Sequence, residues 1–394
     1  MEVRQIYKLI NSVSGEVLGK TDIVKDDLTG VVDLGKEIFY QNAVDNYVKS
    51  LVNHIGKVVF VNRPYSGKVP SVLMDAWEFG SVLEKISADV PQAEENDTWN
   101  LTDGTEYKQD VFHKPTISAK FFNSKVTFEV PVSITERQVK ESFSSAAQLN
   151  GFLSMIYSAV EKSMTIKTDA LVMRTINNMI AETLDADKAK FGWVESTHET
   201  VDYSSASTVR CVNLLKLYND KTGVDITAAA AITTPDFIRF AAYIMGLYSD
   251  RLQTISTLFN VGGKERFTPK DVLHTVLLSD FAAAAKTYLY ADTFHEDNVL
   301  LPKAETVASW QATGKDYAFE HVSKIDVKSA NGANISVSGV LGVMFDRDAL
   351  GVTNLDRRVT TNYNAKAEFF NNYYKFDAGY FNDTNENFVV FFIA

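Results

Sequence analysis

The chain has one cysteine, eight prolines and six histidines in 394 residues, and its 39 basic residues are outnumbered by 50 acidic ones. A lone Cys211 can form neither an intrachain disulfide nor a thiolate metal cage, which fits a reducing compartment. The apolar stretches are short; the longest lie near Phe240 to Tyr248 and Phe388 to Ala394, well below the roughly 20 residues that span a bilayer. The start, Met1-Glu2-Val3-Arg4-Gln5, leads into no apolar core of a signal peptide, so no secretory signal is expected. A formal charge of -11 without any basic run argues against a protein that grips nucleic acid tightly. It does not exclude a container for DNA already neutralised by small cations.

Catalytic signatures are missing too. Gly15-Glu16-Val17-Leu18-Gly19-Lys20-Thr21 approaches a phosphate-binding loop, but the spacing fails by one residue and Glu16 would place a carboxylate in the cradle. His54, His113, His198, His274, His295 and His321 have no spacing that puts two metal ligands on one helix face. Asp346-Arg347-Asp348 fits a local ion pair at a strand end better than an acid pair for catalysis. No G-x-S-x-G, G-x-G-x-x-G or C-x-x-C occurs, so the reading is of a non-enzyme with no cofactor and no metal. Cys211, between Val209 and Val212 in an apparent helix, is read as a small buried residue.

What the chain does have is enough apolar residues, 45%, for a sizeable core, in a length that calls for two or more lobes. Residues 1–36 have no sustained period and are read as an extended or weakly structured arm. From Ile38 a helical pattern runs through Val44, Tyr47, Val48, Leu51, Val52 and Ile55 to Gly56. Lys57 to Val61 reads as a strand, followed by a turn at Arg63-Pro64-Tyr65-Ser66-Gly67 and a short helix around Trp77 to Ile86. Next comes a polar tip, Pro91 to Asp97, followed by Trp99 and Leu101.

Two strands return, Thr116 to Phe122 with Ile117, Ala119 and Phe121 on one face, and Val126 to Ile134, with Asn123 and Ser124 as the turn between them. Pro131 cannot donate to a ladder, so its strand is expected at a sheet edge or at a bulge, available for another chain. Capping boxes at Thr135 and Ser145 announce two helix starts, the second opening a very long helix to about Leu184. Thr234-Pro235-Asp236 and Thr268-Pro269-Lys270-Asp271 predict helices from 235 and 269. The end is strand-rich: Ile335 to Phe345, an aromatic cluster from Phe369 to Phe376, and a final run from Phe388 to Ile393 that must be covered on both faces.

The order of arm, helix, long excursion, edge strand, very long helix, middle lobe and buried C-terminal strand resembles the major capsid proteins of tailed double-stranded DNA bacteriophages. The resemblance sharpens at Val69 to Ile86, with Asp75-Ala76-Trp77-Glu78-Phe79-Gly80-Ser81-Val82-Leu83-Glu84-Lys85-Ile86, at Ala119 to Phe128, and at Phe376-Asp377-Ala378-Gly379-Tyr380-Phe381-Asn382-Asp383, which look like capsid proteins of phages of Gram-positive bacteria. It implies an α+β, HK97-type fold with an N-terminal arm, an extended E-loop, a long spine helix in a peripheral domain, and an axial domain. The implied divisions are 1–50 for the arm and its helix, 51–130 for the E-loop region, 131–225 with 346–394 for the peripheral domain, and 226–345 for the axial domain. It further implies pentamers and hexamers closing into an icosahedral head, assembled in the host bacterial cytoplasm and found in the virion. Implied partners are a separate scaffolding protein, a portal, decoration proteins and weakly contacted double-stranded DNA, with no membrane. Asn96, Asp97, Trp99, Leu101 and Pro131 are the candidate contacts with neighbouring subunits. An encapsulin-like compartment for a cargo enzyme is the alternative on the same fold.

Overall fold

The computed structural model describes residues 3–19, 69–74, 83–88, 95–107, 112–114, 116–135, 146–193, 201–290, 304–311 and 317–394, with 24, 33–34, 36, 38, 47, 50, 91, 93, 110 and 137. Helices and strands are mixed, the α+β class expected. By contacts the chain divides into two units, residues 1–78, 125–172 and 352–379 in one, and 79–124, 173–351 and 380–394 in the other.

The first unit opens with a helix, Val3–Leu18, where an extended arm was expected. Ile6, Ile10, Val13 and Val17 do recur at four, three and four residues, but Ser12, Ser14 and Gly15 dilute the pattern. Ile10 and Val13 are buried, and the Asn11 amide both donates to the Val24 carbonyl at 2.8 Å and accepts from its N–H at 3.1 Å. Gly15 to Leu18, part of the stretch that approaches a phosphate-binding loop, lie within this helix. Asp33, Leu34, Lys36, Ile38, Tyr47 and Ser50 are helical. The rest of the 38–55 helix, the 57–61 strand and its turn, and the first capping box beyond Thr135 lie largely outside the described residues.

A four-stranded sheet forms the body of this unit. With β1 as Leu73–Met74, β2 as Leu83–Ala88, β3 as Ile117–Phe122, β4 as Lys125–Thr135, β11 as Leu350–Asn364 and β12 as Phe369–Asn382, its order is β1-β11-β12-β4. β4 runs antiparallel to β12 from Thr135 opposite Phe369 to Lys125 opposite Gly379, and occupies the sheet edge, as its Pro131 requires. Asn123 and Ser124 separate β3 and β4, but these strands do not pair; they belong to different sheets.

The long helix is Ala146–Asp187, its first residue the one that follows Ser145, where the sequence predicts a capping box. Its 42 residues extend about 63 Å at 1.5 Å per residue. Its last stretch, which belongs to the second unit, is buried on nearly all sides, with Ile176, Met179, Ile180 and Leu184 fully enclosed. A short 3-10 turn then closes on Gly192 in the left-handed conformation, φ 79°.

The second unit is built on a five-stranded sheet. Its strands are β5 (Cys211–Asn213), β6 (Leu273–Leu278), β7 (Glu305–Val307), β10 (Val340–Asp346) and β13 (Phe388–Phe392), in the order β5-β13-β10-β6-β7. All five residues of β13 are buried between β5 and β10, as a continuous apolar run demands. Helices Leu214–Thr222, Pro235–Arg251 and Ser279–Tyr290 cover the sheet, with Phe237, Ala241, Met245 and Phe281 packing in one cluster with Leu277, Met344 and Phe391.

Three expectations fail here. Thr268-Pro269-Lys270-Asp271 starts no helix: its Thr268 hydroxyl donates to the Asp346 carboxylate at 2.7 Å, and β6 follows, the helix beginning only at Ser279. The run Thr275-Val276-Leu277-Leu278 is buried β-sheet sequence, and a Thr-Pro-x-Asp turn satisfies a strand entry as well as a helix N-terminus. Cys211 lies in a strand, not a helix; it is fully buried, and burial with nearby Asp187 pushes its thiol well above the ordinary range. Leu83 to Ile86 belongs to β2, not to a helix.

The single strand expected at 335–345 is broken into β9 (Asn334–Val337), which pairs with β8 (Ile325–Lys328), and β10. Gly339 makes the break, at φ 77°, accepting from the Ile393 N–H at 2.9 Å. A Cβ there would stand 1.9 Å from the Ile393 carbonyl oxygen. Gly339→Ala is therefore expected to cost about 2–3 kcal/mol, from the left-handed backbone and displacement of the C-terminal residues together. The denaturation midpoint measures it, and an unchanged midpoint would refute this role.

Candidate intersubunit surface

β2 and β3 form an antiparallel hairpin at the base of the long excursion, with Leu83 opposite Phe122, Lys85 opposite Lys120 and Ala88 opposite Ile117. Alternation along each strand sorts the side chains into two faces. Leu83, Lys85, Ser87, Ser118, Lys120 and Phe122 are half-buried, whereas Glu84, Ile86, Ala88, Ile117, Ala119 and Phe121 are exposed. The hairpin is thus inverted relative to an ordinary half-buried strand, for it turns both lysines inward and its apolar face to solvent.

An ion cluster holds the inner face. Lys85 Nζ lies 2.9 Å from Asp383 Oδ2 and 2.8 Å from Glu386 Oε1, and donates to the Asp348 carbonyl at 3.1 Å. Lys120 Nζ contacts Asp383 Oδ1 at 3.0 Å, and Arg266 Nε contacts Glu386 Oε1 at 3.2 Å. Like charges directly opposite on paired strands repel, and Asp383 between Lys85 and Lys120 converts that repulsion into attraction. The Phe122 ring packs at a tilt against Phe381, centroids 5.0 Å apart, and the Ser87 and Ser118 hydroxyls meet at 2.9 Å.

Burial alone would raise the Asp383 carboxyl, but Lys85 and Lys120 outweigh it and hold it below its ordinary value. For Lys85, burial would lower the ammonium, and Glu386 with Asp383 outweighs that and raises it. A depressed carboxylate stabilises above its unfolded pKa, about 3.9, and loses that as pH falls through its folded value. A raised ammonium stabilises below its unfolded pKa, about 10.4, and loses that as pH rises through its folded value. The clamp is therefore intact between these limits. Asp383→Asn is expected to weaken it by about 2 kcal/mol, read as faster amide hydrogen exchange in residues 83–88 and 117–122 at neutral pH. Wild-type chain should approach the variant's exchange, corrected for intrinsic rates, only in acid; a difference persisting well below pH 3 would contradict the assignment.

The excursion's tip is a built loop. Asn96 accepts from the Thr98 N–H at 2.9 Å, residues Asp97–Trp99 make one 3-10 turn, and the Thr102 N–H donates to the Tyr107 hydroxyl at 3.0 Å. On this frame Trp99 is 95% exposed and Leu101 67%, while along the hairpin Ile86 is 65% and both Ile117 and Phe121 are 63% exposed. Phe112 and Tyr107 are exposed too, as is Asn96. Pro131 is exposed on β4, opposite Tyr373, in the other unit. The structure thus gathers Asn96, Asp97, Trp99 and Leu101 on one loop, and Pro131 stands apart from them in the chain's division.

Sequence reasoning missed the clamp, because Lys85 and Lys120 meet Asp383 and Glu386 across roughly 260 to 300 residues. The other groups weighed for chemistry have structural surroundings. Asp346 is buried and accepts from the Thr268 hydroxyl and the Asp348 N–H. His274 lies in β6 against Phe345, its imidazole pKa lowered by burial; His113 and His321 are exposed, and His54, His198 and His295 lie outside the described residues. Among the described residues no helix is long and apolar enough to cross a membrane, and no group of three His, Cys, Asp or Glu is placed to hold a metal.

In comparison with known proteins, the family described as Phi29-like phage major capsid protein matches residues 8–392. No curated protein matches. Among solved structures, the capsid of Staphylococcus phage Andhra is similar at TM-score 0.48 and 9% identity, over 84% of this chain and 86% of that one. The capsid of the cyanophage P-SCSP1u is similar at TM-score 0.42 and 10% identity, over 85% and 90%. At such scores the solved structures carry no weight of their own, and the assignment rests on the sequence match.

Proposed function

Since the chain belongs to the family of Phi29-like phage major capsid proteins, we propose that the apolar face of its β2–β3 hairpin and the Trp99 tip are the surfaces through which it joins its neighbours in the head shell. The observation behind this reading is the hairpin's inversion. An exposed face bearing Ile86, Ile117 and Phe121 is unfavourable in an isolated subunit and is stabilised when a second subunit covers it. The ion cluster presents that face at low entropic cost, since the hairpin is already fixed before contact.

Phage head shells are made by major capsid proteins, and this family membership favours that role over a cargo compartment. The finer reading is of an HK97-type subunit forming pentamers and hexamers, with the long helix as spine and residues 51–130 as E-loop region. Pro131 on the β4 edge is a further contact between subunits. Assembly takes place in the host bacterial cytoplasm with a separate scaffolding protein, a portal and decoration proteins. The acidic balance of -11 suits a wall that contacts packaged DNA weakly. A wall subunit of this kind carries out no catalysis.

Light scattering after gel filtration, with negative-stain electron microscopy, tests the reading. Closed shells, or rings of five and six, are expected from the purified chain, if needed with its scaffolding protein. A stable monomer under all these conditions would overturn it.

A further inference from the structure

In the second unit an open cavity of about 570 Å³ lies between the 206–209 segment and the helix Pro235–Arg251. Val209, Leu217, Ile244 and Leu247 line it with aliphatic surface, and Lys190 and Arg251 stand at it as cations. Lys190 is paired with Asp187 at 3.1 Å, its side chain still 60% exposed. Arg251 lies over the Tyr248 ring at 5.5 Å and has no carboxylate partner among the described residues.

This chemistry, an apolar floor beside two cations, is the complement of the excursion's tip. Residues 91–110 carry six carboxylates and one lysine around the exposed Trp99 and Leu101. Glu95 and Asp103 are both exposed, within a few residues of Trp99 on either side. A Trp side chain fits a cavity of this volume with room for part of Leu101. Trp99 stands almost wholly in solvent in its own chain, so the chain does not fill its own cavity with it.

We propose that the cavity between Val209 and Leu247 receives the Trp99 tip of a second copy of this chain, with the tip's carboxylates facing Lys190 and Arg251. This rests on the reading of the tip as an intersubunit contact and specifies where it docks. The contact is heterologous: tip and cavity are different patches, so each subunit gives one and receives one, and the contact propagates around a ring. Tryptophan is the residue type most often found at the energetic centre of such contacts, and arginine is its frequent companion.

The test places p-benzoylphenylalanine at position 99 of the full chain and co-assembles it with an excess of isotopically labelled unmodified chain. After irradiation of the assembled particles, mass spectrometry maps the labelled peptides that are joined. Cross-links to residues 206–209 or 244–251 of the labelled copy are expected. Cross-links to a labelled copy elsewhere would overturn the cavity assignment and leave the tip as an intersubunit contact; no cross-link between copies would overturn both. Independently, Leu247→Arg is expected to lower the yield of assembled particles at least tenfold while the melting temperature of the unassembled chain stays within its error. An undiminished yield would overturn the proposal.

Discussion

A chain carrying Ile117→Lys and Phe121→Lys together is expected to fold normally and fail to assemble. Both side chains lie on the outward face of the hairpin, more than half exposed, so little of their surface is buried within the subunit. Surface changes of this kind alter stability by about 0.5 kcal/mol or less. Lysine is the informative replacement because Glu84 is the cross-strand partner of Phe121, so a new cation there gains an opposite charge instead of meeting a like one. Against a covering subunit the cost is different. Losing the burial of two large apolar side chains removes about 2 kcal/mol each, and leaving ammonium groups in an apolar contact adds to it. A loss of about 4 kcal/mol per contact is nearly a thousandfold in the contact's association constant, and a shell multiplies it over every subunit. Gel filtration should show only unassembled chain, with the far-ultraviolet spectrum and melting temperature of the parent. Particles in normal yield would exclude this face from the assembly.

Asp187→Ala is expected to be the most destabilising single change in the second unit. Asp185 and Asp187 end the long helix, where the macrodipole disfavours a negative charge. Each is compensated by a neighbouring cation. Asp185 accepts from the Ser329 hydroxyl at 3.1 Å and the Asn331 amide at 3.0 Å and pairs with Lys188 at 2.8 Å. Asp187, fully enclosed, pairs with Arg210 and Lys190 and accepts from the Thr208 hydroxyl at 2.7 Å. Burial would raise its carboxyl, but Arg210 and Thr208 outweigh that and hold it below its ordinary value.

Arg210 also donates to the Asn260 carbonyl at 2.6 Å, so the pair ties together the helix end, the segment entering β5 and the 260 loop. Removing the carboxylate strands a largely buried guanidinium, which costs about 3–5 kcal/mol, or a melting temperature lower by about 10 °C in a unit of this size. The sign of the linkage adds a check. A depressed carboxylate contributes stability above its unfolded pKa and loses it as pH falls through the folded value, so the gap between parent and variant should be full at pH 7 and shrink in acid below about pH 4. A constant gap would mean that lost packing, not lost charge, explains the effect. Asp187→Asn, which keeps the Thr208 hydrogen bond, should recover part of the loss.

Elements written in local chemistry were legible in the sequence, and clusters whose partners are distant in the chain were not. The long helix, the helix at Pro235, the buried final strand and the β4 edge could be read in advance, because each is written in local chemistry: a cap, a proline, a period, an unbroken apolar run. The exposed tip with Trp99 and Leu101 could be placed on an excursion for the same reason. The hairpin clamp and the Asp187 cluster could not, since their partners meet only through the fold. The misreadings share a cause. Thr268-Pro269 is a good start for a helix or a strand, the window from Leu83 to Ile86 is too short to separate period 2 from 3.6, and Cys211 sits in a three-residue strand whose identity is fixed by pairing with Val390. The helix Val3–Leu18 was hidden by serines and a glycine of low helix propensity between its apolar positions.

The most direct test of the account compares oxidative footprinting of side chains in assembled particles and in unassembled chain. Trp99, Phe121, Tyr107 and Phe112 are exposed in the isolated subunit and react readily with hydroxyl radical. If neighbouring copies cover the tip and the hairpin's outward face, labelling of Trp99 and Phe121 should fall at least fivefold on assembly, while exposed Tyr317, which belongs to neither the tip, the hairpin nor the cavity, provides an internal comparison. Equal labelling of Trp99 and Phe121 in both states would mean that the shell is built through other surfaces, and would contradict the account.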